Sequence, residues 1–168
     1  MKPVKWAEKV IKSYIAEGRI PALEECEDED LLRKKAGCFV TIHGRDGSLR
    51  GCIGTLSPST NSLAEEIRSN ALASATRDPR FPPLSAEELD DILLSVDVLE
   101  KPRECSIEEL DPKEYGIVVE LGARKGVLLP DLPGVNTAAD QIRIALAKAG
   151  ISESEDYKIY RFKVTRYS

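Results

Sequence analysis

The chain has 168 residues, a formal net charge of −5, and 42% hydrophobic against 32% charged residues. That length and balance suit one globular domain with a substantial core, and they exclude a disordered or fibrous chain. No apolar run approaches a membrane span, and the acidic balance argues against a general nucleic-acid binder.

Met1-Lys2-Pro3 runs straight into an amphipathic stretch, so no leader peptide is read and the chain is expected in the cytoplasm. Cys26, Cys38, Cys52 and Cys105 are widely spaced, with no C-x-x-C pair and a single histidine in the chain. This reads as free thiols of a reducing compartment, without a disulfide framework or a metal site. Walker A, G-x-G-x-x-G and H-E-x-x-H patterns are absent, and no cofactor is implied.

In chain order, residues 3–17 form the first predicted helix. Val4, Ala7, Val10, Ile11, Tyr14 and Ile15 recur at helical spacing, Gly18 ends the run, and Trp6 is assigned to the core. The acidic stretch 24–30 reads as a solvated loop or the start of a helix before Leu31-Leu32.

Residues 37–54 then read as a β-hairpin turning at Asp46-Gly47. A two-residue type I′ loop pairs Arg45 with Ser48, His43 with Arg50, and Thr41 with Cys52. One face then carries Val40, Ile42, Leu49, Gly51 and Ile53, and the other Thr41, His43, Arg50 and Cys52. A five-residue loop would mix the two sets, so the sorting favours the short turn.

The polar face is the candidate site. A thiol reacts as thiolate and a neighbouring cation lowers its pKa, so Arg50 beside Cys52 points to an anion-binding face with a usable thiol. His43 could serve as its base or orienting group. Gly51 and Gly54 would leave room for a ligand or another backbone. The plainer alternative stays open: Cys52 as a small buried residue and Arg50 as the partner of a carboxylate.

Ser62 with Glu65 signals the cap of a second helix, whose stripe is Leu63, Ile67, Ala71, Leu72 and Ala75; Asp78-Pro79 stops it. The stiff loop Asp78-Pro79-Arg80-Phe81-Pro82-Pro83 offers an acid, a base and an aromatic. It is either a rigid connection with Arg80 or Arg77 paired to Asp78, or a border of the Arg50/Cys52 face. Ser85 with Glu88 repeats the capping signal, and residues 92–99 alternate as a strand.

Residues 115–121 and 126–129 are strands joined by 122–125, residues 137–149 a helix ended by Gly150, and residues 157–166 a last strand. Arg161 and Lys163 share one face of that strand and read as a solvated edge. Hairpin, helix and strand thus occur twice, offset by roughly 70 residues. The pattern alone gives an α+β class.

Leu49-Arg50-Gly51-Cys52-Ile53-Gly54 resembles the hallmark motif of the AMMECR domain family. The likeness extends through Phe39-Val40-Thr41, Asp78-Pro79-Arg80-Phe81, Gly126-Val127-Leu128-Leu129-Pro130-Asp131-Leu132, Val135-Asn136-Thr137 and Lys148-Ala149-Gly150-Ile151. Asn136 departs from the acidic residue expected before Thr137.

The resemblance implies a compact α+β domain over residues 1–168, with duplicated halves at about 37–100 and 115–167, drawn here around one mixed, strongly curved sheet. It also implies association with Memo-like and radical-SAM-like proteins. The first functional reading is a cleft around the hairpin that binds a small anionic ligand through Thr41, Arg50, Gly51, Gly54, Asp78, Arg80 and Phe81, with Cys52 and His43 in chemistry. The alternative is a non-catalytic protein-interaction module. A weaker third is sequence-tolerant nucleic-acid binding through Arg50, Arg80, Arg161 and Lys163. Whether the chain is an enzyme stays open at this point.

Overall fold

The computed structural model describes residues 2–168; Met1, part of the leader reading, lies outside the described residues. The chain folds into two units, residues 1–99 with 165–168 and residues 100–164.

In the first unit, helix α1 (Lys2–Glu17) begins one residue before the expected start and buries Trp6, Ala7, Val10 and Ile11. It ends at Gly18, whose φ of 66° suits the left-handed position after a helix. The acidic stretch contains a 3-10 turn (Leu23–Glu25) and then the short helix α2 (Glu29–Arg33), where the Asp28 carboxylate accepts from the Asp30 amide at 3.0 Å.

Helix α3 (Leu63–Thr76) starts at the expected cap, the Glu65 amide donating to Ser62 Oγ at 3.2 Å. Its stripe of Leu63, Ile67, Ala71 and Ala75 is buried. Trp6 Nε1 ties α1 to α3 by donating to the Ala64 carbonyl at 2.8 Å, so the indole is a core residue.

Strands β1 (Cys38–Gly44), β2 (Leu49–Gly54), β3 (Ile92–Leu99) and, near the far end of the chain, β8 (Val164–Tyr167) form a sheet in the order β2-β1-β3-β8. Val40, Ile42, Val96 and Val98 pack in one core with α1 and α3.

The hairpin between β1 and β2 departs from the expected register. A type I′ turn needs φ > 0 at two positions, but only Gly47 has it, at 82°. Gly47 N donates to the Gly44 carbonyl and Gly44 N to the Ser48 carbonyl, both at 2.9 Å, so the loop holds three residues with Gly47 in a left-handed bulge.

His43 therefore faces Leu49 rather than Arg50, and Arg50 is itself bulged out. Ile42 then faces Gly51 and Thr41 faces Cys52, as expected. The second irregularity cancels the first because Val40, Ile42, Gly51 and Ile53 keep their inward alternation only if the slip is undone. Leu49 does not join the apolar face; it is 38% exposed.

The second unit contains β4 (Arg103–Glu104), β5 (Gly116–Leu121), β6 (Arg124–Leu128), helix α4 (Ala138–Ala149) and β7 (Lys158–Phe162), with sheet order β4-β7-β5-β6 and antiparallel neighbours throughout. Gly122, with φ 58°, leads the two-residue turn between β5 and β6. Thr137 caps α4 and Gly150, with φ 65°, ends it. Ile117, Val119, Leu128, Ile142, Ala145, Leu146 and Ile159 form the core.

The α+β class holds, but the strands make two sheets instead of one mixed sheet. A physical reason lies at the outer strands. The backbone of β2 is occupied by side chains described below, and a β6 carbonyl, that of Val127, accepts from Lys148 Nζ at 3.0 Å. The strand expected over 157–166 is likewise two strands, β7 and β8, assigned to different sheets and separated by Lys163.

The order hairpin, helix, strand recurs, with β2-β1-β3 in one sheet matched by β6-β5-β7 in the other. The segment that follows β3 supplies β4 to the second sheet, and the segment that follows β7 supplies β8 to the first.

Candidate functional site

The hairpin and the 78–83 loop meet at Cys52. Opposite Thr41, Cys52 directs its backbone away from β1, which leaves an amide and a carbonyl in need of partners. Asp78 and Arg80 supply both: the Cys52 amide donates to Asp78 Oδ2 at 2.9 Å, and Arg80 Nη2 donates to the Cys52 carbonyl at 3.3 Å.

Arg80 also binds both Asp78 oxygens, Nε to Oδ1 at 3.0 Å and Nη2 to Oδ2 at 2.8 Å. The Asp78 side chain is 2% exposed and that of Arg80 is 53% exposed. Hydrogen bonds from the Arg80 guanidinium first, then from the Cys52 and Arg80 amides, hold the Asp78 carboxyl far below the usual range against the cost of burial.

Arg50, bulged from β2, turns toward the segment after the loop. Its Nε and Nη2 donate to the two Glu88 oxygens at 2.6 and 3.0 Å, and Nη1 donates to the Pro82 carbonyl at 3.0 Å. Glu88 is lowered mainly by that guanidinium, and it also accepts from the Ser85 amide at 2.8 Å as the capping residue expected of it. The half-buried Phe81 ring lies by both arginines, its centroid 5.9 Å from Arg50 Cζ and 5.5 Å from Arg80 Cζ.

The Cys52 thiol is half-buried and sits 3.3 Å from Thr41 Oγ1. His43 lies one pleat further along β1, between Leu49 and Leu93, and no hydrogen bond joins it to Cys52 among the described residues.

The space at the two motif glycines is filled by the fold. A Cβ on Gly51 would strike the Ser74 carbonyl of α3, and one on Gly54 would strike the Phe39 ring. The close approach at Gly51 lets the Ser74 hydroxyl enter the hairpin ladder, accepting from the Ile53 amide at 2.9 Å and donating to the Val40 carbonyl.

The structure thus brings Thr41, Arg50, Cys52, Asp78, Arg80 and Phe81 together and leaves His43 outside the bonded cluster. Sequence reading missed Ser74, and it offered a carboxylate partner for Arg50 without identifying it as Glu88. Glu66, Asn70 and Ser74 recur every four residues on the buried face of α3, and that polar stripe was the signal for the first. The Arg50–Glu88 pair joins residues 38 positions apart and has no local signature.

The four cysteines are free, and burial pushes Cys38 up to about 12. Among the described residues, no group of three His, Cys, Asp or Glu side chains is placed to hold a metal ion. No helix is long and apolar enough to cross a membrane.

This is an α+β protein whose hairpin motif is locked to a following acid–base–aromatic loop. The AMMECR1 family model matches residues 4–167, and the chain belongs to that family. A Thermotoga maritima protein is 54% identical, covering 98% of this chain and 95% of its own length. A Methanocaldococcus jannaschii protein is 36% identical, over 95% of this chain and 85% of its own.

A Clostridium acetobutylicum protein is 47% identical over 98% of this chain, which spans only 35% of that longer relative. Among solved structures, an uncharacterized protein from Pyrococcus horikoshii superposes with a TM-score of 0.83 at 29% identity, covering 98% of this chain and 88% of that one.

Proposed function

We propose that this AMMECR1 domain is a non-catalytic recognition module. Its contact surface centres on Phe81, flanked by the Arg50–Glu88 and Arg80–Asp78 pairs. The observation that carries this reading is the bond from the Cys52 amide to Asp78. A nucleophilic cysteine commonly borrows its own amide as an oxyanion donor, and here that donor faces a buried carboxylate.

Both arginines that would neutralise an anionic ligand are likewise paired with carboxylates. What stays available is the Phe81 ring and the exposed Pro79, Pro82 and Pro83, the composition of a rigid docking surface. The longer Clostridium relative, in which the matching region is one part of a larger chain, fits a module of this kind.

Memo-like and radical-SAM-like proteins, which the family resemblance implies, are the partners to try. The cytoplasm is the compartment proposed, since four unpaired thiols suit a reducing environment. The test is titration calorimetry of the full chain against a purified Memo-like protein and a purified radical-SAM-like protein. Binding that survives Cys52→Ser and is lost in Phe81→Ala supports the module. Binding to neither partner, or binding indifferent to Phe81→Ala, overturns it.

A second reading keeps one specific observation. Arg80 Nη1 carries no hydrogen bond among the described residues, and Thr41 holds the Cys52 thiol from the side. A small anion on Nη1 beside the thiol is the arrangement this alternative requires.

A further inference from the structure

A cavity of about 330 Å³ in the second unit is lined by Glu100, Lys101, Arg103, Tyr115, Arg161 and Lys163, among others. None of these residues belongs to the hairpin site. Four cations therefore face one lining carboxylate, in a chain whose formal net charge is −5. Such a cluster is not a by-product of a basic composition.

Two features show that the cluster is held together rather than scattered. Arg103 on β4 stands directly opposite Arg161 on β7, a like-charge cross-strand pair that disfavours the sheet unless an anion lies near. Arg161 and Lys163 both approach the Tyr115 ring, with Cζ 4.4 Å and Nζ 5.4 Å from its centroid.

Tyr115 is itself fixed: buried Gln141 of α4 donates through Nε2 to its carbonyl at 2.7 Å. Arg161 has a partial partner in Glu109, donating to its carbonyl at 2.7 Å with a carboxylate oxygen 3.9 Å away. Lys101, Arg103 and Lys163 have no carboxylate within 4 Å among the described residues.

Edge protection accounts for a charge on β4. It does not account for two opposed arginines, a flanking lysine from each neighbouring segment and a shared aromatic floor. We propose that this cavity binds the phosphate or diphosphate group of a small molecule. Arg103 and Arg161 offer planar forks to its oxygens, Lys101 and Lys163 supply charge, and Tyr115 forms the floor. The volume lies at the small end of ligand pockets and is ample for a diphosphate group with its waters. The group could arrive as the free ion or as part of a nucleotide.

The experiment is calorimetric titration of the full chain with pyrophosphate, inorganic phosphate and ADP, at low and at physiological ionic strength. Saturable binding of pyrophosphate is expected. Lys163→Ala and Arg103→Ala, both at exposed positions, are each expected to weaken it at least about tenfold. Glu100→Gln is expected to strengthen it. ADP binding tighter than pyrophosphate assigns the group to a nucleotide, and equal or weaker binding assigns it to the free ion; both support the site.

Sulfate and chloride competing as well as pyrophosphate, affinity unchanged in Lys163→Ala and Arg103→Ala, or a single-stranded oligonucleotide binding more tightly than any small phosphate would each overturn the proposal.

Discussion

Asp78 accepts the backbone amide of Cys52 at 2.9 Å, so a loop carboxylate stands where another strand would otherwise pair with the free edge of β2. Arg80 completes the substitution at the Cys52 carbonyl. Two side chains separated by one proline thereby imitate the donor and acceptor of a neighbouring strand. This ties the two most distinctive motifs of the chain into one object.

Replacing Asp78 by Asn is therefore expected to destabilise the fold by about 1–3 kcal/mol, the cost of leaving buried groups poorly paired. The folded carboxyl is depressed below its ordinary value of 3.8. Its contribution is thus complete above that value and is lost as pH falls through it toward the folded value. Urea unfolding of both proteins between pH 7 and pH 2 should show a gap that is largest near neutrality and narrows as the pH falls below 3.8. A gap independent of pH would refute the ion-pair account.

Gly51→Ala should cost about 1–3 kcal/mol through overpacking, because the new methyl group meets the Ser74 carbonyl, a backbone atom that cannot swing aside. Gly126→Ala should behave alike, since its Cβ would meet the Ala145 carbonyl of α4. Thermal melts check both. An unchanged midpoint in either variant would mean that its helix gives way without cost.

Arg50→Lys is expected to lose the two-point grip on Glu88 and the Pro82 carbonyl together, because an ammonium cannot reproduce the planar fork. With the Arg50 side chain 17% exposed and that of Glu88 36% exposed, screening keeps the loss near 1 kcal/mol. Hydrogen exchange should meanwhile rise across residues 82–88. Exchange as slow as in the parent would show that the loop holds itself.

Native alkylation followed by mass spectrometry should leave Cys38 for last. Its folded value of about 12 leaves on the order of one thiolate in ten thousand at pH 8, and the side chain is fully buried. For Cys52, the pH dependence decides between the two functional readings. Fast labelling that saturates well below the ordinary thiol range would bring the thiol-dependent reading to the front. Slow or ordinary labelling leaves the docking surface.

Much of this was legible in the residues, and the failures have definite causes. Strand 92–99, the cap at Ser62 and the stop at Gly150 follow from periodicity and local hydrogen bonding, which operate over a few residues, whereas Thr137, expected inside the helix, is its cap. The hairpin was read half correctly because its two requirements disagree. The turn adds a residue at Gly47, the apolar alternation of Val40, Ile42, Gly51 and Ile53 refuses it, and Arg50 absorbs the difference.

The sheet membership of 157–166 could not be read, since alternation runs on through Lys163 while the hydrogen-bonding partner changes. The role of Glu88 was half visible. Its local bond to Ser85 has a sequence signature, but its pairing with Arg50 exists only after folding.

The exchanged strands β4 and β8 constrain how this molecule can be cut or inherited. A chain ended at Leu99 would lack Arg166, whose guanidinium holds the Asp97 carboxylate through two bonds of 2.7 Å. That carboxylate is 4% exposed and would be left as a buried, unanswered charge. The first unit thus depends on the last residues of the chain, and a cut or recombination that removes them also removes the answer to Asp97.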